Sequence, residues 1–307
     1  MKSGLLAVLI LVGVVGCTQR QGSDIRSGTL KVLATESHLP LVQRMAEEYH
    51  DAFPNAVIQP FGTSTRAAIV EMANDSVQCI VVDRRLNAEE RAAMESAELR
   101  VVETELAHDG IAVLVHRENK MVTISMELLA AILTGETSLW NAIPASKLRG
   151  PVEICLTGKN SGLYEMVVRH CFKIEADVPV AAVASSQRGI VEYVAGHPEA
   201  IGLVSYAMWR YTLDASLERL KQGITMLAFA VKDTQGVLTT VKLNQRNVFD
   251  QYYPLTYSLY VYTSEKKAGT GQGFSSFIGG DRGQRMFQEA GLVPKTLPYR
   301  TIQLTQE

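Results

Sequence analysis

Short apolar segments alternate with amphipathic segments along most of this chain, and this rhythm constrains its fold more than any other feature. Leu30 to Ala34 is predicted to be a strand, and Pro40 to Phe53 is predicted to be a helix because its apolar side chains recur on one helix face. The cycle repeats, with strands predicted at Ala56 to Phe61, Cys79 to Val82, Leu99 to Leu106 and Glu153 to Leu156, and helices at Ala67 to Asn74, Ala88 to Ser96 and Leu163 to Phe172. This repeat is typical of doubly wound α/β domains.

The first residues indicate where the chain works. Lys2 precedes an apolar run from Leu5 to Val15, and Gly16 then precedes Cys17. A transmembrane anchor is the alternative, but the run is shorter than the roughly 20 residues that span a bilayer. The pattern predicts a lipoprotein signal peptide over residues 1–16, lipidation of Cys17 and a polar tether over residues 17–27. We therefore expect an extracytoplasmic protein of the bacterial cell envelope, held by its lipid on the periplasmic side of a membrane or on the cell surface.

Length, charge and cysteine count bear on the number of domains, the class of partner and the disulfide bonds. The residues after the signal are numerous enough for two domains of ordinary size. The chain has 30 basic and 32 acidic residues, a net charge of -2, and this near balance gives no indication of a nucleic-acid partner. After Cys17 there are three cysteines, Cys79, Cys155 and Cys171, an odd number that cannot all pair within one chain. A bridge between Cys155 and Cys171 and buried free thiols both remain possible.

Three loops that follow predicted strands are rich in hydroxyl groups. They contain, in chain order, Thr35 and Ser37, then Thr63 and Ser64, then Ser161 and Gly162. Each serine alone is explained by helix capping. Ligands of open α/β sheets, however, lie beyond the carboxyl ends of strands, where helix N-termini hold anions. Three such loops at the same topological position favour a cleft for an anion or another polar ligand.

Several motifs in a fixed order give the chain a family resemblance. They are Ala34-Thr35-Glu36-Ser37-His38-Leu39-Pro40-Leu41, Val82-Asp83-Arg84-Arg85-Leu86, Ala107-His108-Asp109-Gly110-Ile111-Ala112-Val113, Ala200-Ile201-Gly202-Leu203-Val204-Ser205, Tyr253-Pro254-Leu255-Thr256 and Gly291-Leu292-Val293-Pro294. In order and spacing they resemble the phosphate-binding component of bacterial phosphate ABC transporters, within the type II periplasmic-binding-protein superfamily. The resemblance covers nearly all of the chain after Cys17.

The resemblance implies two α/β lobes joined by two crossing strands, with the ligand held between the lobes. Asp109 to Leu114 would cross outward and Leu255 to Tyr262 would cross back. The first lobe would comprise residues 28–111 and 254–307, and the second lobe residues 112–253. Such lobes close around a ligand by a hinge motion.

The ligand site departs from the family pattern at three positions. Family members place an aspartate six residues before the arginine of a serine-arginine motif, and counting back from Arg84 gives Gln78. An amide donates as well as accepts, so Gln78 would not select a protonated oxyanion as a carboxylate does. The family's arginine and its loop threonine correspond to Thr157 and Leu163. These departures predict weaker phosphate binding.

Two cations could replace the missing arginine. Lys159 lies in the third loop, and it could instead be an ordinary exposed lysine of a turn. Arg66 follows the second loop, and its side chain could instead be solvated. His38 in the first loop could contact the ligand or change charge near neutral pH, although a lone loop histidine is usually solvated.

These residues give three hypotheses for function. The first is a lipid-anchored solute-binding protein that captures phosphate or a similar small oxyanion for a membrane ABC permease. The second is a degenerate relative that acts as a sensor or protein-interaction module. The third, an enzyme, is disfavoured because the sequence shows no Ser/His/Asp motif, no metal-ligand spacing and no dinucleotide fingerprint. We expect no cofactor and no metal.

Overall fold

The structure, a computed structural model, describes residues 24–211, 215–232, 235–265 and 268–296. The predicted signal peptide, Cys17 and most of the tether lie outside the described residues. The helices are α1 (Leu39–Ala52), α2 (Thr65–Ala73), α3 (Ala88–Ser96), α4 (Met126–Thr134), α5 (Gly162–Tyr164), α6 (Gln187–Gly196), α7 (Tyr206–Arg210), α8 (Ala215–Lys221), α9 (Gln245–Phe249), α10 (Thr270–Gly279) and α11 (Asp281–Glu289).

The strands are β1 (Gly28–Thr35), β2 (Ala56–Thr63), β3 (Cys79–Val82), β4 (Val102–His116), β5 (Thr123–Ile124), β6 (Glu153–Thr157), β7 (Ala182–Ala184), β8 (Ala200–Ser205), β9 (Ile224–Met226), β10 (Ala228–Lys232), β11 (Leu238–Val241), β12 (Thr256–Thr263) and β13 (Val293–Pro294). Short 3-10 turns cover Arg117–Asn119 and Trp140–Ala142, and a π-helical segment, Glu165–Cys171, continues α5. The predicted elements recur within a few residues of these bounds, except that the strand predicted at Leu99 to Leu106 begins at Val102 and runs on to His116.

Strand β4 joins two halves of one sheet, whose main path runs β2-β1-β3-β12-β4-β8-β6-β7. Residues 102–110 of β4 pair with β12, whereas residues 111–115 pair with β8. Strands β1, β2 and β3 are parallel in the first half, and β6, β7 and β8 are parallel in the second half. The carboxyl ends of the parallel strands therefore meet near the middle of β4, where β4 changes its partner strand from β12 to β8.

The first half of the sheet buries both of its faces. Val32 and Ala34 contribute to one hydrophobic cluster, beneath α1, α10 and α11, while Leu33 between them contributes to another, beneath α2 and α3. This alternation follows from the two-residue period of a strand. Helices on both faces of a parallel sheet confirm the predicted doubly wound α/β class.

The second half has a single large core. Trp140 is fully buried in it and donates its indole N–H to the Glu199 carbonyl, 2.8 Å away. Cys79, Cys155 and Cys171 are all free thiols, so no bridge joins Cys155 to Cys171 in the structure. Within the described ranges, no helix combines the length and the hydropathy needed to cross a bilayer.

Candidate functional site

The candidate site lies where the loops after β1, β2, β3 and β6 converge. These four loops lead into helices α1, α2, α3 and α5, whose first N–H groups have no partner inside the helix. The same arrangement brings residues of the two sheet halves into contact. Gly162 of the second half faces Asp83 and Thr65 of the first, since a Cβ added to Gly162 would lie 3.3 Å from Asp83 Oδ2. The site is therefore built from both halves.

Asp83 is the carboxylate of this junction, and sequence reasoning missed it. It follows β3 directly, is 3% exposed and accepts a hydrogen bond from the Thr65 hydroxyl. Burial raises the pKa of the Asp83 carboxyl, while the Thr65 hydrogen bond and the field of His38 act in the opposite direction. The sequence carried a signal for it, because Asp83 is the first polar residue after the apolar run of β3.

The prediction of Gln78 as a ligand residue is not supported by its position. Gln78 precedes β3, is exposed, and its main-chain carbonyl accepts from Ser264 N at 3.0 Å. It therefore occupies the amino end of β3, about 13 Å of strand from the carboxyl end where the loops converge. Counting residues from Arg84 selected a residue at the opposite end of the strand from Asp83, since the four residues of β3 separate the two.

The first loop is buried and is tied to β4 through His38. The Thr35 hydroxyl lies 3.1 Å from His38 Nδ1, and His38 Nε2 lies 3.1 Å from Asp109 Oδ2. His38 is 0% exposed, so the expectation of a solvated loop histidine is wrong. Proline at the start of α1 and the tight turn before it hold the loop against the sheet.

Asp109 organises the strands at the middle of the sheet. Its Oδ2 accepts hydrogen bonds from the Ser205 and Tyr257 hydroxyls, both at 2.7 Å, and its Oδ1 accepts from Gly110 N at 2.8 Å. The Ala207 amide approaches the same carboxylate at 3.2 Å. Because Ser205 ends β8 and Tyr257 lies on β12, this one carboxylate links both halves of the sheet.

Ser37 makes the second direct contact between the halves. Its hydroxyl accepts a hydrogen bond from the side-chain amide of Gln187, the first residue of α6. The Gln187 carbonyl in turn accepts from Ser205 N at 2.7 Å. Gln187 is 7% exposed and was not predicted as a site residue. No local motif distinguishes it from other first-turn glutamines.

The predicted hydroxyls of the other two loops serve as helix caps. Ser64 Oγ accepts from Ala67 N at 3.2 Å and begins α2, and Ser161 Oγ accepts from Tyr164 N at 3.1 Å and begins α5. Thr157, which stands at the family's arginine position, hydrogen-bonds to the Ser161 hydroxyl. Thr63 is half-buried and pairs with Thr35 in the β1–β2 register. These caps leave Thr65, rather than Thr63 or Ser64, as the hydroxyl on Asp83.

The two candidate cations face solvent. Lys159 pairs with Asp177, and both side chains are more than half exposed. Arg66 is exposed and makes no ion pair with any described residue. Both line an open 690 Å³ cavity at the mouth of the junction, together with Asn160, Glu165 and Arg169. No hydrogen bond or ion pair joins either cation to Asp83, and their role as compensating cations stays a prediction.

Arg84 bridges the two halves beside the site. Its guanidinium lies 2.8 Å from a Glu90 carboxylate oxygen on α3 and 3.0 Å from Glu165 on the π-helical segment. All three side chains are largely buried, with Arg84 10% exposed. Arg84 is thus committed to carboxylates of the protein. Among the described residues, no group of histidine, cysteine and carboxylate side chains is arranged to hold a metal ion.

The chain is similar in sequence to a family of known proteins. A family model described as the PBP superfamily domain matches residues 20–282. The phosphate-binding protein PstS of Staphylococcus haemolyticus is 23% identical over 281 residues, which cover 89% of this chain and 84% of that protein. PstS of Staphylococcus aureus strain USA300 is 23% identical over 300 residues, with 95% and 86% covered.

The fold is also shared with solved structures. An ABC-type phosphate transport receptor from Vibrio cholerae superposes with a TM-score of 0.68 at 16% identity, covering 87% of this chain and all of that one. At this identity the likeness shows the two-lobed fold. Together with the family match, it confirms the resemblance that the sequence motifs indicated. The chain belongs to the PBP superfamily domain family, the periplasmic-binding-protein superfamily.

Proposed function

We propose that this protein is an extracytoplasmic solute-binding protein that captures phosphate, or a similar small protonated oxyanion, for an ABC permease. Relatives over almost the whole chain are named as phosphate-binding proteins. The junction of the two halves supplies hydroxyls from Thr35, Ser37, Thr65 and Ser161 and helix N-termini on both sides. Such groups donate hydrogen bonds to an anion.

The position of Asp83 carries this proposal. A buried carboxylate beside helix N-termini accepts a hydrogen bond from an oxyanion that still bears a proton, and it repels one that bears none. Phosphate at neutral pH carries at least one proton, whereas sulfate carries none. Asp83 would therefore discriminate protonated phosphate from unprotonated sulfate. The sequence motifs predicted no such discrimination, because they place Gln78 at the position of the family's aspartate.

Calorimetric titration of the purified full-length chain with phosphate and with sulfate tests the proposal. We expect Asp83→Asn to weaken phosphate binding about 10- to 100-fold, because a charge-assisted hydrogen bond contributes about 1.5–3 kcal/mol. The matched control is Gln78→Ala, which should leave phosphate binding unchanged because Gln78 lies at the other end of β3. Equal loss in both variants, or tighter binding of sulfate than of phosphate by the wild type, contradicts the proposal.

A degenerate sensor or interaction module is the second candidate. It is favoured by the way site hydroxyls are already satisfied within the protein, Ser37 by Gln187 and Ser161 by Thr157. It is also favoured by the absence of any fully buried lysine or arginine among the described residues, since Arg84 keeps 10% exposure and is paired with Glu90 and Glu165. Titrations that release no heat with either anion, in a chain shown to be folded, would select this candidate. In neither case do we propose catalysis.

The anchor and the division into lobes also stay proposals. We propose lipidation at Cys17, which is supported by the sequence alone, and we propose lobes of residues 28–111 with 254–307, and of 112–253. The change of β4 partner between Gly110 and Ile111 supports that boundary. If the anchor is correct, Cys17→Ser should move the protein from the membrane fraction to the soluble fraction of its host.

A further inference from the structure

His38 is the one fully buried side chain of the described residues that can carry a positive charge. Every other fully buried polar side chain in those ranges is a hydroxyl, an amide or a carboxylate. Arg66 and Lys159 face the open cavity, and Arg84 is held by two glutamates. An oxyanion enclosed at this junction would meet the carboxylates of Asp83 and Asp109 with no fixed cation beside them. Enclosure of an unpaired charge is costly.

The hydrogen bonds around His38 fix the role of each ring nitrogen. Asp109 accepts from two hydroxyls and two amides, a set of donors that satisfies an ionised carboxylate. Because a carboxylate only accepts, His38 Nε2 must carry the hydrogen toward Asp109. The Nδ1 atom is then left to face Thr35 in the first loop.

The charge of His38 decides what the first loop offers to an anion. In the neutral ring, Nδ1 is an acceptor, so the Thr35 hydroxyl donates to it and is withdrawn from any ligand. In the imidazolium, Nδ1–H is a donor, and the Thr35 hydroxyl is free to donate elsewhere. One proton on Nδ1 therefore reverses this hydrogen bond, so that Nδ1–H donates to the Thr35 oxygen. The Thr35 hydroxyl hydrogen is then released to donate to an oxyanion, and the ring carries a positive charge.

We propose that His38 is the charge-supplying residue of the site and that the protein takes up a proton on His38 when it captures the oxyanion. This rests on the proposed function, because it specifies how that site binds its ligand. The proton comes from water. Asp109 holds the ring and balances its charge, so it is a positioning residue rather than a ligand contact.

The other titratable groups around His38 are compatible with this role. Tyr257 on β12 packs against the ring edge to face and donates to Asp109, and burial raises the pKa of its hydroxyl well above the ordinary value, so it stays a neutral donor. Asp83, at the end of β3, lies within the field of His38. Asp109 on β4 is the remaining charged group. Both carboxylates favour the imidazolium when ionised.

Phosphate titration of the full-length chain between pH 6 and pH 8 tests the proposal by comparing wild type with His38→Gln. Phosphate itself titrates in this range, but it does so equally for both proteins, so the difference between the curves isolates the protein. We expect the wild-type affinity to fall more steeply with pH than that of His38→Gln, by up to about tenfold per pH unit for one linked proton. His197→Gln, an exposed histidine stacked on Tyr193, is the matched control and should follow the wild type.

A second measurement keeps the test decisive if His38→Gln fails to fold. The imidazole carbon resonance of His38 in the wild-type protein at pH 7.5 should move to the imidazolium position when phosphate saturates the site. Parallel pH curves for wild type and His38→Gln, or a resonance that stays at the neutral position, would overturn the proposal while leaving phosphate capture intact. Absence of phosphate binding by the wild type would overturn both proposals.

Discussion

The two halves of the site differ in where they place their charged groups. The first half buries His38, Asp83 and Asp109 and connects them to the strands that join the halves. In the second half, Lys159 points outward to Asp177, Ser161 caps a helix, and the one largely buried charge beside the site among the described residues, Glu165, is paired with Arg84. Under the proposed function, we expect the first half to recognise the charge and protonation of the ligand and the second half to offer it hydroxyl and amide donors.

The strongest test of this comparison is Asp109→Asn. The asparagine side chain would point an N–H group at hydroxyl and amide donors that now share the Asp109 carboxylate. Some of these buried donors would therefore lose their acceptor. We expect a loss of about 3–5 kcal/mol in the free energy of unfolding, measured by urea denaturation. The exposed control Asp177→Asn should unfold like the wild type. Equal stability of the two variants would show that the Asp109 network does not hold the halves together.

Asp83→Asn should alter how stability depends on pH. Burial raises the pKa of this carboxyl, so the folded protein holds the proton more tightly than the unfolded chain does. Its contribution is therefore full below the ordinary carboxyl pKa of about 4 and is lost as pH rises toward the raised value. Without ligand, the variant should lose less stability than the wild type between pH 4 and pH 7. Thermal unfolding across this range would show it, and parallel curves would contradict it.

Ser161→Ala sharpens the role of the second half. Removal of the cap should cost about 1 kcal/mol of stability and should also weaken phosphate binding. Ser125→Ala is the matched control, because Ser125 caps α4 in the same way, accepting from Leu128 N at 3.1 Å. It should lose similar stability but keep full phosphate affinity. If both variants bind phosphate like the wild type, Ser161 is a cap and nothing more.

Lys159→Ala should have the smallest effect. Its partner Asp177 is exposed, and solvent screens such pairs strongly. We expect unchanged stability and an unchanged equilibrium affinity for phosphate at physiological salt. A stopped-flow measurement of phosphate association would detect any contribution to the capture rate at the cavity mouth. A large loss of equilibrium affinity would instead place the recognition of charge in the second half and contradict the comparison.

Much of the fold could be predicted from local pattern. Cys79 to Val82 and Ala88 to Ser96 were predicted with the bounds that the structure shows, because strand and helix periods are local properties. The strand at β4 was placed too early, since its long run depends on pairing with β12 and then β8. Hydrophobic periodicity cannot predict the bounds of a strand whose length is set by pairing with two different strands.

The site could be predicted only in part. Three loops were predicted to form one cleft, because carboxyl ends of parallel strands share an edge. They contain Thr35, Ser37, Thr63, Ser64, Ser161 and Gly162. The structure places Gly162 beside Asp83 and Thr65, while the binding roles of the loop residues stay a prediction. Gln78 was selected by a count of residues that takes no account of which end of the strand it occupies, and Asp83 was not considered as a site residue.

The sequence by itself determined the class of fold, the order of the elements and the loops that begin the site helices, because these depend on hydrophobic period and on short capping motifs. Tertiary structure alone decided which polar groups are buried together. His38 and Asp109 are 71 positions apart, and Ser37 and Gln187 are 150 apart. Burial and hydrogen bonding between such distant residues depend on how the strands pair, and no local pattern encodes that pairing.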